Sequence, residues 1–251
     1  MNLKKLLLFS AAAAMLAGTM YAGKPVRLMS YNVRNCLGMD SVLNYQRVAD
    51  VINSAAPLVV AVQELDSMTG RYPGADVLKI LAEKTGMYSV YSPSISYRGG
   101  KYGHGMLSKE KPVSYRTVPL PCRSEPRSLL IVEFKNFFYC SAHLSLHKAD
   151  RIKSVDIIVK EMGGQKKPVL FCGDLNAEPD EESIQYLTEF FTPLTDITAP
   201  TFPASEPRIT IDYILIYNKG GKQKFELIDN CVVDAPVQSD HRPVYVDVKL
   251  K

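Results

Sequence analysis

The chain has 251 residues, 46% of them hydrophobic and 22% charged, with a formal net charge of +4 at pH 7. This composition excludes disordered, collagen-like and low-complexity classes, and no repeat recurs at solenoid or propeller spacing. So small a positive balance also argues against a protein built to grip long nucleic acids, which carry a stronger basic patch or stripe.

At the amino end, Lys4 and Lys5 precede an apolar stretch from Leu6 to Ala17, and small residues follow as far as Tyr21-Ala22-Gly23. This order is that of a secretory signal peptide, with cleavage expected after Ala22. An uncleaved anchor is the alternative, but the run is short of the ~20 residues that span a bilayer. No cysteine follows directly, which argues against a lipid anchor, and no later segment is long and apolar enough to cross. Residues 1–22 are therefore expected to be a leader and 23–251 one domain, exported to the periplasm or the outside. Loss of the leader removes two lysines and no acid, so the charge falls from +4 to +2.

Along the domain, Val26 to Tyr31 and Leu58 to Val62 are short, branched-rich runs that predict buried strands. Between them Val48, Val51, Ile52 and Ala55 fall at helical spacing. A second helix is expected from about Ala75 to Thr85, stopped by Gly86. Ser128 to Phe134 and Phe137 to His143 predict a hairpin around Lys135-Asn136. A third helix spans Ala149 to Met162, and a short one follows Pro179 with Asp180, Glu181 and Glu182 near its positive end. Ile209 to Tyr217, Lys222 to Val233 and Val244 to Leu250 predict further strands, with a turn at Gly220-Gly221. Hairpins mixed with strand–helix–strand units suggest an α/β fold of two packed sheets flanked by helices.

The five cysteines carry no metal-type spacing. Cys140 and Cys172 sit in apolar runs where a free thiol is a small core residue. An odd count leaves at least one thiol unpaired in a monomer, and whether Cys36 pairs with Cys122 stays open. The segment Arg98-Gly99-Gly100-Lys101-Tyr102-Gly103-His104-Gly105 reads as a glycine-rich loop that either meets a substrate phosphate or is an exposed turn; it is not a P-loop. His147 reads as a surface residue.

The chemically informative pattern is where polar groups interrupt apolar runs. Asn32 ends the first strand, Glu64 the second and His143 the hairpin's second strand, while Asp174 and Asn176 follow Val169 to Gly173. In α/β sheets the carboxyl ends of strands are where side chains gather on a rigid frame. Asp212 lies within an apolar run and needs a partner, because a lone buried carboxylate is costly. His241, in Ser239-Asp240-His241-Arg242-Pro243, is the natural candidate, its tautomer fixed by the acid. A tight hairpin would set Arg127 opposite Leu144, at the same sheet end as His143; strict pairing puts Arg127 and His143 on opposite faces, and a one-residue bulge would unite them. Arg127 suits bidentate phosphate binding. Taken singly, each residue has a plainer reading: Asn32 a turn, Glu64 a solvated charge, Asp174 and Asn176 a helix cap, Asp212 with His241 a core pair, and Arg127 a surface ion pair.

In chain order, Ser30-Tyr31-Asn32, Gln63-Glu64, Arg127, His143-Leu144, Gly173-Asp174-Leu175-Asn176, Ile211-Asp212-Tyr213 and Ser239-Asp240-His241-Arg242-Pro243 resemble the endonuclease/exonuclease/phosphatase superfamily, which includes deoxyribonuclease I and sphingomyelinases. The resemblance covers nearly the whole domain and implies the four-layer sandwich of deoxyribonuclease I, two mixed sheets between helices. It implies Mg2+ or Mn2+ held by Glu64 with Asn32 and Asp240 near it, hard oxygen donors that suit those ions. It implies His241, oriented by Asp212, as general base or charge stabiliser, with Asp174 and Asn176 positioning water and phosphate. His143 and Arg127 would stabilise developing charge. One departure is Arg34, where some nuclease branches carry an acid two positions after the motif Asn; another is the lack of any Trp, which separates the chain from the inositol-polyphosphate phosphatases. The expected function is thus metal-assisted phosphoester hydrolysis by an exported monomer, on a small molecule or lipid head group rather than duplex DNA. A non-catalytic phospho-ligand-binding module on the same scaffold and a secreted nuclease are the alternatives. A peptidase-type zinc hydrolase lacks its His-Glu-x-x-His.

Overall fold

The computed structural model describes residues 24–221 and 223–250; the leader expected over 1–22 lies outside them. Strand β1 (Val26–Asn32) runs into a 3-10 turn (Arg34–Cys36), helix α1 (Tyr45–Ala55) and strand β2 (Val59–Ser67). Helix α2 (Val77–Thr85), strands β3 (Tyr88–Tyr97), β4 (Gly100–Ser108) and β5 (Ser114–Leu120), and the hairpin β6 (Arg127–Glu133) and β7 (Phe138–His143) follow. Helix α3 (Lys148–Met162), β8 (Val169–Asp174), α4 (Glu182–Thr188), β9 (Phe191–Pro193), β10 (Asp212–Tyr217), β11 (Phe225–Val232) and β12 (Val244–Leu250) come next among the described residues. Local chemistry sets the helix ends. Asn44 and Asp76 accept the Arg47 and Lys79 amides at 3.1 Å as N-caps, and Gly86 closes α2 in the left-handed region (φ 67°).

The strands form two six-stranded sheets, ordered β11-β12-β1-β2-β4-β3 and β5-β6-β7-β8-β10-β9. Each is mixed: β1–β2 and β7–β8 pair in parallel across a helical crossover, and their other neighbours pair antiparallel. The sheets meet over Leu28, Val59, Leu130, Val132, Leu170, Ile214 and Val246. Outside them α1 and α2 cover Met29, Val60 and Leu107, while α3 and α4 cover Leu129, Phe171 and Leu215. This is the expected four-layer sandwich. Tyr139 stitches the layers by donating its hydroxyl to Met29 O at 2.9 Å.

The pairing directions decide where chemistry collects. The carboxyl ends of β1, β2, β7 and β8 share an edge with the amino ends of β10 and β12, so Asn32 aligns with Gln63, and Asp174 with both His143 and Asp212. Gly173 makes the last of these registers possible. Its φ is 140°, and a Cβ there would stand 1.8 Å from Ala142 O on the neighbouring strand.

Two local expectations are corrected. Strand β2 does not end at Glu64: it continues to Ser67, with a bulge between Val62 and Leu65 that sets Glu64 at φ 59°. The segment expected as a glycine-rich loop is strand β4, joined to β3 by a turn with Arg98 and Gly99 at φ 45° and 84°. Gly103 and Gly105 sit there because a Cβ would fall 2.2 Å from Ser92 O and 2.7 Å from Val90 O. The mixture of Gly, Ser and Tyr hides β3 and β4 from a search for branched alternation. The hairpin keeps strict pairing, Leu129 with Ala142, and has no bulge. All five cysteines are free, with Cys36, Cys140 and Cys172 buried.

The first consequence of this architecture is mechanical. Gly173→Ala should cost about 3 kcal/mol, through overpacking against β7 and a forced left-handed conformation, read as a lower urea midpoint at unchanged m-value. The second concerns His104, 1% exposed on β4, whose pKa burial and the Arg127 charge lower to about 4. Above about pH 6.5 both folded and unfolded states hold it neutral; below, only the unfolded chain takes the proton. Between pH 6.5 and 4 the native protein should therefore lose about 3 kcal/mol more stability than a His104→Gln variant, measured by urea titrations across that range.

Candidate active site

Asp174 ends β8 fully buried at the crossing of the two sheets. Its Oδ2 accepts the Asn32 amide from the other sheet at 3.0 Å and lies 3.3 Å from His143 Nε2 and 3.6 Å from His241 Nε2; its Oδ1 accepts the Asn176 N–H at 3.0 Å. Asn32 also donates to Glu64 Oε1 at 3.1 Å, so one amide ties together carboxylates from β2 and β8. Asn32 Oδ1 accepts the Arg34 N–H at 3.2 Å. Glu64 and Asn176 both hold their places with positive φ, 59° and 49°. Such strain persists where surrounding contacts over-determine it, and it concentrates at functional sites.

The Asp212–His241 pair is present. His241 Nδ1 lies 2.9 Å from Asp212 Oδ2, which also accepts the Thr201 hydroxyl at 2.7 Å, and the Phe202 ring packs 4.8 Å from the imidazole. Ser239 anchors this loop by donating to Asn32 O at 2.7 Å. Thr201, Phe202 and the serine anchor carry no signal in the sequence, since only the closure of the loops beside β10 and β12 brings them in. Neither Asp174 nor Asn176 caps α4, whose N-cap is Glu181; Asn176 instead donates its side chain to Leu144 O at 3.0 Å, just after His143.

Two histidines in one cleft are driven apart in protonation. His143 is pushed well below its usual value by burial, by the Arg127 cation and by His241. Burial also opposes a charge on His241, but Asp212 and Asp174 outweigh it and raise its pKa to about 10. At neutral pH the first is an imidazole and the second an imidazolium. Burial and the nearby Asp212 charge lift Asp174 to about 7, against the pull of His241 and Asn32. Pairs of groups separated this way mark acid–base assignments.

The remaining expected residues are also gathered. Arg127 begins β6 with strict pairing and no bulge, yet its charge acts on His143, His104 and Glu64, so the guanidinium lies within electrostatic reach of the cleft. It is ion-paired with Glu125. Asp240 lies 3.5 Å from Arg34, and its charge, after burial, raises Glu64 against the Asn32 hydrogen bond. A half-buried carboxylate facing a second carboxylate, with only an amide for support, is the environment a hard divalent cation stabilises. Asp174, Asp212 and His241 also bring donor atoms within 4.8 Å of one another. The hydrogen bond from His241 to Asp212 accounts for that approach, so a cation would fit better at Glu64.

The model of the Endonuclease/Exonuclease/phosphatase family, whose members are hydrolases of phosphoester bonds, matches residues 29–241. No curated protein matches the sequence. Solved structures do. An endonuclease/exonuclease/phosphatase from Beutenbergia cavernae DSM 12333 aligns with TM-score 0.73 at 20% identity, over 90% of this chain and 72% of that one. A mannosyl-6-phosphatase from Bacteroides thetaiotaomicron VPI-5482 gives 0.71 at 18%, over 89% and 99%. The human Nocturnin catalytic domain with bound sulfate gives 0.64 at 17%, over 90% and 95%. At such identities the likeness to these structures is one of fold. With the family's pattern matched across most of its length, the chain belongs to the endonuclease/exonuclease/phosphatase family.

Proposed function

We propose that this protein is an exported, divalent-metal-dependent phosphoesterase that hydrolyses a phosphodiester or phosphomonoester by attack of water on phosphorus. The observation that carries the reading is the convergence of His143, His241 and Asn32 on one carboxylate oxygen of Asp174, beside Glu64. Asp174, whose pKa burial raises, takes the proton of the attacking water. His241, held protonated and oriented by Asp212, stabilises the charge that develops on the phosphoryl group and can protonate the leaving oxygen. This favours charge stabiliser over general base for His241. Neutral His143, Arg127 and Asn176 hold the phosphate oxygens. Glu64, with Asn32 and Asp240 beside it, would hold Mg2+ or Mn2+, which supplies Lewis-acid polarisation of a phosphoryl oxygen when bound.

Support for export comes from the apolar leader, and no helix among the described residues is long and apolar enough to cross a membrane. A net charge of only +2 for residues 23–251 favours a small molecule or a lipid head group over duplex DNA. The mannosyl-6-phosphatase named among the structural neighbours points the same way. We read the protein as a monomer.

Purified residues 23–251 should turn over at least one of bis-p-nitrophenyl phosphate, p-nitrophenyl phosphate, sugar phosphates, sphingomyelin, RNA or plasmid DNA. EDTA should abolish activity and Mg2+ or Mn2+ restore it. Glu64→Ala and His241→Ala should each lower kcat/KM by about a hundred- to a thousandfold, as loss of a principal charge-stabilising group does. Metal binding and a cooperative fold without turnover on any substrate would instead mark a phospho-ligand-binding module.

A further inference from the structure

Below the catalytic edge the two sheets do not meet at once on hydrocarbon. A buried polar belt lies between them. Gln63 donates to Ser30 and Ser141 hydroxyls at 3.3 and 3.2 Å. Beside it His104 Nε2 lies 3.0 Å from Ser128 Oγ, which is 2.9 Å from Ser94 Oγ and 3.4 Å from Ser92 Oγ; Ser92 in turn meets Thr117 at 2.9 Å. The mechanism above uses none of these. His104 is the titratable member, and its other ring nitrogen, Nδ1, is buried with no partner among the described residues. Such an atom loses its hydration without compensation, which ordinarily costs free energy.

A second orphan lies on the strand that His104 touches. Arg127 directly precedes Ser128, the residue His104 touches, and its Nε is also buried with no partner among the described residues. One of the two can accept and the other can only donate. Arg127 is the charge that acts on His104, and both groups act on His143. The guanidinium is drawn through Nη1 to Glu125.

We propose that His104 is a positioning residue for Arg127: with Nε2–H donated to Ser128, its Nδ1 accepts the Arg127 Nε–H when a phosphate draws the guanidinium away from Glu125. The fork is then fixed at its stem, leaving the Nη groups to meet the phosphate together, the geometry in which arginine outperforms lysine. A neutral side chain suits the place, because a carboxylate there would compete with the phosphate for the same cation. The inference rests on the phosphate-binding role proposed for Arg127 and extends it to a residue one layer deeper.

The test is a double-mutant cycle on residues 23–251 with Mg2+, using His104→Leu, His104→Gln, Arg127→Ala and His104→Leu/Arg127→Ala. Two readouts run in parallel: inorganic phosphate affinity by calorimetry, and KM and kcat on bis-p-nitrophenyl phosphate. His104→Leu should weaken phosphate binding and raise KM by about tenfold, the loss expected for one hydrogen bond to a charged group. His104→Gln, which retains a donor and an acceptor, should stay within about threefold of wild type, and adding His104→Leu to Arg127→Ala should cost nothing further. Should His104→Leu fail to fold, Ser128→Ala, which frees the His104 ring, carries the same expectation. Independent, multiplying effects of the two sites, or a folded His104→Leu with unchanged phosphate affinity, would overturn the inference. So would a wild type that binds no phosphate. Coupled phosphate binding without turnover would sink the enzymatic reading and leave this one standing.

Discussion

Everything at the shared edge of the two sheets depends on one buried carboxylate. Asp174 is cut off from water, and an isolated charge there would be too costly to keep. It is made tolerable by partners from four directions: the Asn32 amide from the opposite sheet, the Asn176 backbone N–H, and the two imidazoles. Each partner arrives on a different element, so Asp174 is satisfied only when both sheets are packed and the β8, β10 and β12 loops are closed. Asp174 is therefore a check on correct assembly. Its need for partners is also the source of its raised pKa, since the compensation is incomplete and Asp212 stands close behind.

A second constraint is backbone geometry that side chains alone could not supply. The site residues are presented by departures from regular strand structure: the bulge at Glu64, the positive φ of Asn176, and Gly173 pressed against β7. A regular β2 would send successive side chains to opposite faces, so the extra residue re-aims the carboxylate towards Asn32. Arg151, almost fully buried on α3, stiffens the adjoining loop by donating to the Ser145 and Leu146 carbonyls and pairing with Glu181 at the start of α4. That brace holds the segment directly after His143 and links it to the loop carrying Asn176.

Electrostatics then separates groups of like chemistry. His143 and His241 lie in the same cleft against the same oxygen, yet burial and the Arg127 cation keep one neutral, while the Asp212 and Asp174 carboxylates overcome burial and keep the other charged. In water the two rings would titrate alike. Their difference comes from which fixed charge stands behind each, and those charges sit on β6 and β10 of the second sheet, on either side of β7 and β8.

Much of this was legible in the residues. Polar groups ending apolar runs, in Asn32, His143 and Asp174, pointed to strand ends, because a strand leaving the core must change solvent at a definite residue. Asp212 inside Ile209 to Leu215 announced a buried partner for the same reason, and His241 proved to be it. The strands β3 and β4 were not legible, since their glycines answer to close backbone approach by a neighbouring strand, a condition that local periodicity does not record. Nor was the bulge at Glu64, which follows from pairing β2 with β4. His104 shows the division most clearly. Its sequence neighbours, Gly103 and Gly105, suggest an exposed turn, and only the packing of one sheet on the other makes it a buried, neutral group beside Arg127. The sequence by itself determined which residue types were available and which had to escape water. Tertiary structure alone decided which of them met and in what charge state, because distance, burial and field are properties of the packed sheets and of no single segment.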